Sequence, residues 1–430
     1  MKTCIKILLL VLVIQFSQNT IAEEYPDYAK RIRQEVWAWD KPEFKDYNVP
    51  EQYKDESAVI LAHHEDIKVE SRKTWGQSVL FSTSIDRRMV KINDRVSLEN
   101  YSEISFKESM KIKAAYGSKN TYKTVIGVRI IKPDGTTKEV NVNDEAMSVT
   151  EGKGEKEKEA YKKLAVSDLQ IGDIIDYFIC EFAETQLENI PMQWFLLYSS
   201  YPTLSYSVHC EICSKAPTVE YIVLNGAPDF TRSTNENGDH VLDLAQKDLL
   251  RVKDARWMSP IRDLPMIRMS IYNNKLRIMT KSSTIREEGI YKVGDNLKTD
   301  QILINASTGR ILSEELYYGD NVRKDIKKVI EKHVKKNPDI SNDDLAIYIR
   351  DLLYFMWPSS NNDYFTPQLY LSMFKNYLEN FKIPSENILM TNKYSTRMNE
   401  ILSASDLDYA IKVNDRYYTY PFGLRIAGEI

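Results

Sequence analysis

The feature that most constrains this chain is a long stretch in which almost every segment alternates like a β-strand. It runs from about Val59 to Leu250 and includes "YKTVIGVRIIKPDGTTKEVNV" and "GDIIDYFICEFAET", which are rich in β-branched and aromatic residues. Pro133 and Gly135 mark a tight turn, because proline presets one backbone angle and glycine supplies the left-handed one. With scarcely a helical period among the strands, the pattern predicts an all-β antiparallel sandwich.

The hydrophobic pattern changes to a helical period beyond Ser313. Apolar residues recur at spacings of three and four in three segments, and the last segment takes Thr366 as its cap and Pro367 as its first helical residue. The stretch "SDLDYAIKVNDRYYTYPF" then alternates like two strands joined by a turn at Asn414 and Asp415. Helices followed by strands predict an α+β domain behind the sandwich, so the fold class is multidomain.

The first 22 residues have the pattern of a secretory signal peptide. Lys2 and Lys6 precede the apolar run 7–14, and the small residue Ala22 stands before "EEYP". The apolar run is far shorter than the roughly 20 residues that a membrane-spanning helix needs. We therefore expect cleavage after Ala22, a periplasmic or secreted mature protein, and no membrane span after cleavage.

Two prolines, Pro260 and Pro265, interrupt the strand pattern and suggest a domain boundary. A chain of 430 residues, 43% of them hydrophobic, is long enough for two or three cores. The predicted parts are a signal peptide (1–22), an N-terminal linker or helix (23–50), the β-sandwich (51–262) and the α+β domain (263–430).

Charge and cysteine content exclude several classes of partner and cofactor. The 58 basic and 62 acidic residues give a net charge of -4 and are mixed along the chain, with no basic run for nucleic acid or a membrane surface. Three cysteines remain after cleavage at Ala22, namely Cys180, Cys210 and Cys213, so at least one thiol is free or bonded to another chain. "HCEIC" could suggest a metal site, but it alternates like a strand and lacks a second ligand pair. "AHHED" is likewise not interpreted as a metal site, so we expect no metal and no cofactor.

Three segments carry a resemblance to a known pair of domains. "KPDGTTKEV", "VSDLQIGDIIDYFI" and "YPTLSYSV" resemble the bacterial envelope module of unknown function that is found in front of transglutaminase-like domains. From about Leu264 onward the chain resembles that transglutaminase-like partner. The resemblance implies a cysteine-proteinase-type, papain-related α+β fold for the second domain.

The resemblance also implies where a catalytic triad would stand. Active transglutaminase-like proteins place a cysteine at the start of a core helix, a histidine on the first strand of the following hairpin and an aspartate on the next, so that the helix terminus and the imidazole lower the pKa of the thiol. The matching positions here are Pro367, Tyr409 in "DYAI" and Tyr420 in "TYPF", and no cysteine follows Cys213. The resemblance thus implies a degenerate domain, a pseudo-transglutaminase without the Cys-His-Asp triad.

Aromatic residues surround these positions and suggest a recognition cleft. The candidate ligand-binding residues are Trp357, Tyr364, Tyr409, Tyr418 and Tyr420, with the loop 357–367 over the cleft. A glycan or a peptide is the expected ligand class, and an envelope protein is the expected partner. The alternative interpretation is that the rings fill the cleft as core, since half of the residues on an alternating strand face inward.

The function therefore has three interpretations. The first is a non-catalytic envelope protein that acts in binding or assembly. The second is a hydrolase or acyltransferase with a non-standard site, for example one that uses Asp173 and Asp176, although residues three apart on a strand face opposite ways. The third is a purely structural envelope subunit.

Overall fold

The described part of the chain consists mainly of strands from residue 58 to 292 and mainly of helices from 320 to 380. The computed structural model describes residues 25–74, 77–107, 110–113, 119–142, 146–150, 160–185, 189–215, 217–254, 256, 258–273, 288–293, 320–356, 367–391, 396–402 and 406–419.

The helices of these ranges follow the start and stop signals of the sequence. Ser341 accepts a hydrogen bond from the backbone N–H of Asp344 at 3.1 Å and so caps the helix that follows it. None of the helices in the described ranges is long and apolar enough to cross a membrane. The helices are α1 (Tyr25–Trp37), α2 (Arg95–Tyr101), α3 (Pro260–Asp263), α4 (Asp320–Lys336), α5 (Asn342–Met356) and α6 (Pro367–Asn380), with 3-10 turns at Pro42–Phe44, Glu51–Tyr53 and Met398–Glu400.

The strands range from two residues to the long pair at the centre of the largest sheet. They are β1 (Ala58–Thr74), β2 (Gln77–Ile92), β3 (Glu103–Lys107), β4 (Met110–Lys113), β5 (Lys119–Ile131), β6 (Thr137–Glu139), β7 (Ala146–Thr150), β8 (Ala160–Ala165), β9 (Ile174–Thr185), β10 (Asn189–Leu196), β11 (Tyr198–Ser199), β12 (Ser205–Ile212), β13 (Pro217–Leu224), β14 (Thr231–Thr234), β15 (His240–Lys247), β16 (Leu250–Arg251), β17 (Met266–Asn273), β18 (Gly289–Lys292), β19 (Glu386–Met390), β20 (Asp408–Val413) and β21 (Arg416–Tyr418).

The main sheet has nine strands in the order β14-β15-β12-β1-β2-β9-β5-β4, with β6 added to β5. The antiparallel pair β1 and β2 sets His63 opposite Arg88 and Glu65 opposite Asp86. β1 pairs in parallel with β12, however, and His63 lies opposite Tyr206. The prediction of a purely antiparallel fold is wrong at this pair, because β2 to β11 lie between the two strands in the chain and provide the long connection that parallel neighbours need.

Two smaller sheets pack on one face of the main sheet, which we call the cleft face and which carries Arg88. The second sheet, in the order β10-β17-β13-β18, shares a core with β1, β12 and β15. The third sheet, β3-β8-β7, shares a separate core with β2, β5 and β9. β2 contributes Leu80 to the first core and Val90 to the second, at alternate positions on the same face as Arg88.

The N-terminal segment covers the opposite face of the main sheet, which we call the helix face and which carries Arg87. Apolar residues of α1 pack there against residues of β2, β5 and β9. The Trp37 and Phe178 rings meet edge to face with centroids 4.9 Å apart. Gly127 makes this contact feasible, because a Cβ atom at this position would lie 2.3 Å from the Phe178 ring and 2.9 Å from the Trp37 ring. The predicted linker or helix 23–50 is therefore, in its described part, a layer of the strand-rich unit.

The strand-rich unit extends beyond the predicted boundary between residues 262 and 263. β17 pairs with both β10 and β13, and β18 pairs with β13, so the second sheet includes residues up to Lys292. Pro260 and Pro265 flank the short helix α3 on a connection into this sheet. These prolines stop the strand pattern locally, but they do not end the unit.

The helical unit packs α4, α5 and α6 with the sheet β19-β20-β21 around one core. α6 begins at Pro367, and the turn of the β20–β21 hairpin lies at Asn414 and Asp415, both as predicted. The buried Arg268 of β17 joins the two units, since its guanidinium donates to Asp406 at 2.5 Å and to the Thr396 hydroxyl at 2.9 Å.

Candidate functional site

The helix and the hairpin of the predicted triad lie side by side. α6 begins at Pro367, and Tyr409 lies on β20, which packs against α6. The side chains of Pro367 and Tyr409 lie outside the described residues, as do Trp357, Tyr364 and Tyr420. The triad assignments and the ligand-binding role of these residues stay predictions.

Tyr418 is the one predicted ligand-binding residue whose side chain the described ranges include. It is 2% exposed and belongs to the core of the helical unit. Its ring centroid lies 5.2 Å from that of Phe374, and its hydroxyl has no hydrogen-bond partner in the described part of the chain. Burial raises the pKa of the Tyr418 phenol above its ordinary value. These contacts favour the core interpretation for this ring over the recognition cleft.

Asp173 and Asp176, considered as a carboxylate site, are each bound to separate cations. Asp176 accepts two hydrogen bonds from Arg87, at 3.1 and 2.9 Å, and one from Arg129 at 2.8 Å. Asp173 accepts from the Lys132 ammonium at 2.7 Å. Both carboxylates are buried. They stabilise the strand-rich unit rather than facing one another over a shared cavity.

A second polar cluster crosses the cleft face between the two apolar cores. The Arg88 guanidinium donates to both oxygens of Asp86, at 3.0 and 2.7 Å. His63 Nε2 lies 3.1 Å from Asp86 Oδ1 and 3.8 Å from Glu65 Oε1, without the alignment of a hydrogen bond. The Tyr206 hydroxyl donates to Glu65 Oε1 at 2.7 Å. The strand registers explain the cluster, because they place His63 and Glu65 opposite Arg88 and Asp86.

Burial and mutual charge set the protonation of this cluster. Burial and the neighbouring Asp86 raise the pKa of Glu65 to about 8, so this carboxyl is protonated at neutral pH. Burial and then Arg88 lower the pKa of His63, so the imidazole is neutral. Burial alone would raise the pKa of Asp86, but the Arg88 guanidinium holds it well below its ordinary value. The cluster therefore holds one ion pair and no net charge.

A cavity of about 270 Å³ opens beside this cluster, between the main sheet, α2 and the third sheet. Its polar and aromatic lining includes Asp86, Arg88, Asn100, Tyr101, Glu103 and Tyr177. The side chains of Arg88 and Asp86 are 37% and 38% exposed, so the ion pair can contact a ligand. The arrangement can bind a small polar group, since donors, acceptors and ring faces meet in one concave site.

Sequence reasoning did not find this site, although a signal for it exists. His63 and Glu65 continue the alternation that brings Ile67 and Val69 to the cleft face, and Asp86 and Arg88 do the same before Val90. Polar residues on an otherwise apolar face indicate a site or a buried network. Only the register between β1 and β2 shows that the two pairs meet.

The described residues hold no group of three or more His, Cys, Asp or Glu side chains with the arrangement of a metal site. The thiols of Cys180 and Cys210 are buried, that of Cys213 is partly buried, and all are free.

Comparisons with known proteins give a likeness of fold. No family model matches the chain, and no curated protein matches it. A proposed protease from Parabacteroides distasonis has a similar fold, with a TM-score of 0.54 and 11% identity over 84% of this chain and 67% of that one. At this identity the likeness concerns the fold alone. The chain is therefore a multidomain, β-rich protein with several sheets and a helical unit.

Two further solved structures have lower structural similarity. An M1 zinc metallopeptidase from Deinococcus radiodurans, bound to a Tyr-Ser-Ala substrate, has a TM-score of 0.24 and 10% identity over 82% of this chain and 80% of that one. A proposed nutrient-binding protein from Legionella pneumophila has a TM-score of 0.23 and 8% identity over 75% of this chain and 92% of that one. Scores this low carry no argument about this chain.

Proposed function

We propose that the protein is a non-catalytic binding or assembly protein of the bacterial envelope, a pseudo-transglutaminase that is periplasmic or secreted. The observation that carries the proposal is that the sequence contains no cysteine after Cys213. Acyl transfer of the transglutaminase type needs a thiol nucleophile at the start of the core helix, where this chain has Pro367. A register shift of one or two positions supplies no thiol.

The cysteines of the strand-rich unit are also poor nucleophiles. Burial raises the pKa of Cys180 to about 12 and that of Cys213 to about 11. Burial likewise raises the pKa of Cys210. Because the thiolate is the reactive form, thiols with such pKa values are almost fully protonated at neutral pH and react slowly.

The positions of the other two triad members hold phenols, at Tyr409 and Tyr420. A phenol with a pKa near ~10 is protonated at neutral pH and does not act as the base that an alcohol nucleophile needs. A triad acts as a unit, so the loss of all three members removes its chemistry. A binding role, with a glycan or a peptide as ligand and an envelope protein as partner, fits this composition best.

A hydrolase with a non-standard site is the alternative, and one contact on the helix face favours it. His64 Nδ1 lies 2.7 Å from the Ser207 hydroxyl oxygen, and Asp66 lies 3.8 Å from the other ring nitrogen. His64 is only 1% exposed, however, and meets the Trp39 ring edge to face. The Ser207 hydroxyl also lies 3.4 Å from Glu43. This packing is typical of a buried polar contact, and a substrate would have to displace Trp39 to reach it.

An acyl-transfer assay tests the proposal. The purified protein is incubated with casein and a fluorescent primary amine, and amine incorporation and peptide release are both measured. We expect neither above the buffer rate. Incorporation that a Tyr409→Phe change abolishes would overturn the proposal.

Peptide release that a Ser207→Ala change abolishes would instead establish the alternative hydrolase. Asn237→Ala, at an exposed turn between β14 and β15, serves as the matched control because it alters neither site.

A further inference from the structure

We propose that the cavity on the cleft face binds a neutral sugar, which it holds between Tyr101 and the Arg88–Asp86 pair. This inference rests on the proposed binding function and names its ligand class and its site. The cavity lies in the strand-rich unit, away from the hairpin where the sequence predicts a recognition cleft.

The charges around the cavity are paired, which favours an uncharged ligand. Arg88 is neutralised by Asp86 through two hydrogen bonds. Glu103, on the third sheet, lies 2.9 Å from the Lys163 ammonium of the neighbouring strand. Among the described residues that line the cavity, a phosphate or a carboxylate would meet no unpaired cation and an ammonium no unpaired anion, so either would lose hydration without an opposite charge in return.

The hydrogen-bonding groups of the cavity suit hydroxyl groups. A guanidinium has five N–H donors, and Arg88 uses two of them on Asp86. Asp86 keeps acceptor positions beside these donors. A hydroxyl both donates and accepts, so one that binds between the two side chains satisfies both, and charge-assisted hydrogen bonds are the strong ones.

Two tyrosine rings, Tyr101 and Tyr177, line the cavity, and a third, Tyr201, lies beside Tyr101. The Tyr101 ring centroid lies 6.4 Å from that of Tyr177 and 6.3 Å from that of Tyr201. The Asn100 amide donates to the Tyr201 hydroxyl at 2.8 Å, which holds that ring next to Tyr101. A sugar ring has apolar C–H faces and a polar edge, so it can stack on Tyr101 while its hydroxyls reach the ion pair.

The size of the cavity limits the ligand to one small unit. Its volume of about 270 Å³ is close to the roughly 300 Å³ at which small-molecule sites begin. One sugar residue of a longer chain fits this description, with the remainder of the chain in solvent.

Isothermal titration calorimetry with the purified protein tests the proposal. The probes are maltotriose and N,N′-diacetylchitobiose as neutral sugars, sialyllactose as an acidic sugar and trialanine as a peptide. We expect at least one neutral sugar to bind, and sialyllactose and trialanine to bind more weakly. Arg88→Met and Tyr101→Leu should each weaken sugar binding by about tenfold, since each removes a charge-assisted hydrogen bond or a stacking surface.

Arg95→Met is the matched control, because Arg95 pairs with Glu99 on the exposed side of α2 and does not line the cavity. Sugar binding should be unchanged in this variant. The proposal is overturned if neither neutral sugar binds at about 10 mM, if only trialanine binds, or if Arg88→Met leaves the affinity unaltered. The general binding function would survive a peptide-only result. Cleavage of a bound sugar, seen by chromatography of the reaction, would instead overturn the non-catalytic function and keep the site.

Discussion

Arg87 and Arg88 are adjacent on β2, and each holds an aspartate through two hydrogen bonds, yet the two pairs have opposite environments. Arg87 and Asp176 lie on the helix face with 1% and 0% of their side chains exposed. Arg88 and Asp86 lie on the cleft face with 37% and 38% exposed. The alternation of a strand places them on opposite faces. What covers each face then decides whether the pair is structural or accessible.

The helix-face pair is satisfied by protein on every side. Arg87 also donates to the backbone carbonyl of Val36 at 2.9 Å, and its guanidinium lies 4.1 Å from the centroid of the Phe44 ring. Arg129 adds a second cation to Asp176. A buried pair with this many partners fixes the N-terminal segment on the sheet. The cleft-face pair keeps part of its donors and acceptors exposed, and these are the groups that a ligand uses.

The largest effect should come from removing the charge of the helix-face pair. Asp176→Asn leaves Arg87 and Arg129 without an anion in a buried site, so we expect a loss of about 3–5 kcal/mol in the free energy of unfolding. Urea denaturation measures it. Asp254→Asn, in an exposed pair with Arg256, should leave the urea midpoint almost unchanged. Equal losses in the two variants would remove the distinction between buried and exposed pairs.

The next effect concerns the protonated carboxyl behind the cleft-face pair. The folded pKa of Glu65 is about 8, above its ordinary value of 4.5. Between these values the unfolded chain loses a proton that the folded chain keeps, so this group makes the protein less stable as the pH rises. Glu65→Gln cannot lose that proton. The free energy of unfolding of this variant, relative to that of wild type, should therefore rise by about 1–3 kcal/mol as the pH goes from 5 to 8.

Denaturation curves of both proteins at several pH values check the Glu65 prediction. The neutral His63 is common to both, so its opposite pH dependence cancels in the difference. A stability difference that stays constant from pH 5 to pH 8 would show that Glu65 is ionised in the folded protein.

Removal of the cleft-face ion pair should cause a smaller loss of stability. Arg88→Met removes a partly exposed ion pair, so we expect a loss of about 0–1 kcal/mol in the free energy of unfolding. The same urea experiment measures it beside Asp176→Asn. If Arg88→Met lowers the free energy of unfolding as much as Asp176→Asn does, the cleft-face pair is structural and the contrast between the two faces fails.

The smallest change in stability should follow from removing the Tyr418 hydroxyl, a buried group with no hydrogen-bond partner in the described part of the chain. Tyr418→Phe removes an unsatisfied hydroxyl and should leave the stability within about 0.5 kcal/mol of wild type or raise it slightly. Tyr418→Ala, which empties the space beside Phe374, should cost about 3–5 kcal/mol. Thermal denaturation separates the two. A large loss in Tyr418→Phe would indicate that the hydroxyl binds a group within the fold.

The sequence predicts local features of this fold better than its long-range pairings. Pro367 and the turn at Asn414 fix the start of α6 and the hairpin, because a proline and a left-handed residue act on their own backbone. The parallel pairing of β1 with β12 has no comparable local signal, and neither does the register that brings His63 to Arg88.

The close approach at Gly127 was equally out of reach of sequence reasoning. A glycine within a strand indicates that a ring or a backbone can come near, but it does not identify Trp37 and Phe178. The sequence shows the polar residues of the cleft-face site but not the register that brings them together, while the absence of a thiol after Cys213 is plain from the sequence.

The parallel pairing of β1 with β12 also has a consequence for folding kinetics. β1 is a strand of 17 residues near the centre of the main sheet, and one of its edges remains unpaired until β12 has been synthesised and has docked. Pairings between segments distant in the chain form slowly, because the entropy of closing the intervening loop is lost first. During that interval the free edge of β1 can recruit a strand from another molecule, so aggregation during refolding should depend steeply on protein concentration.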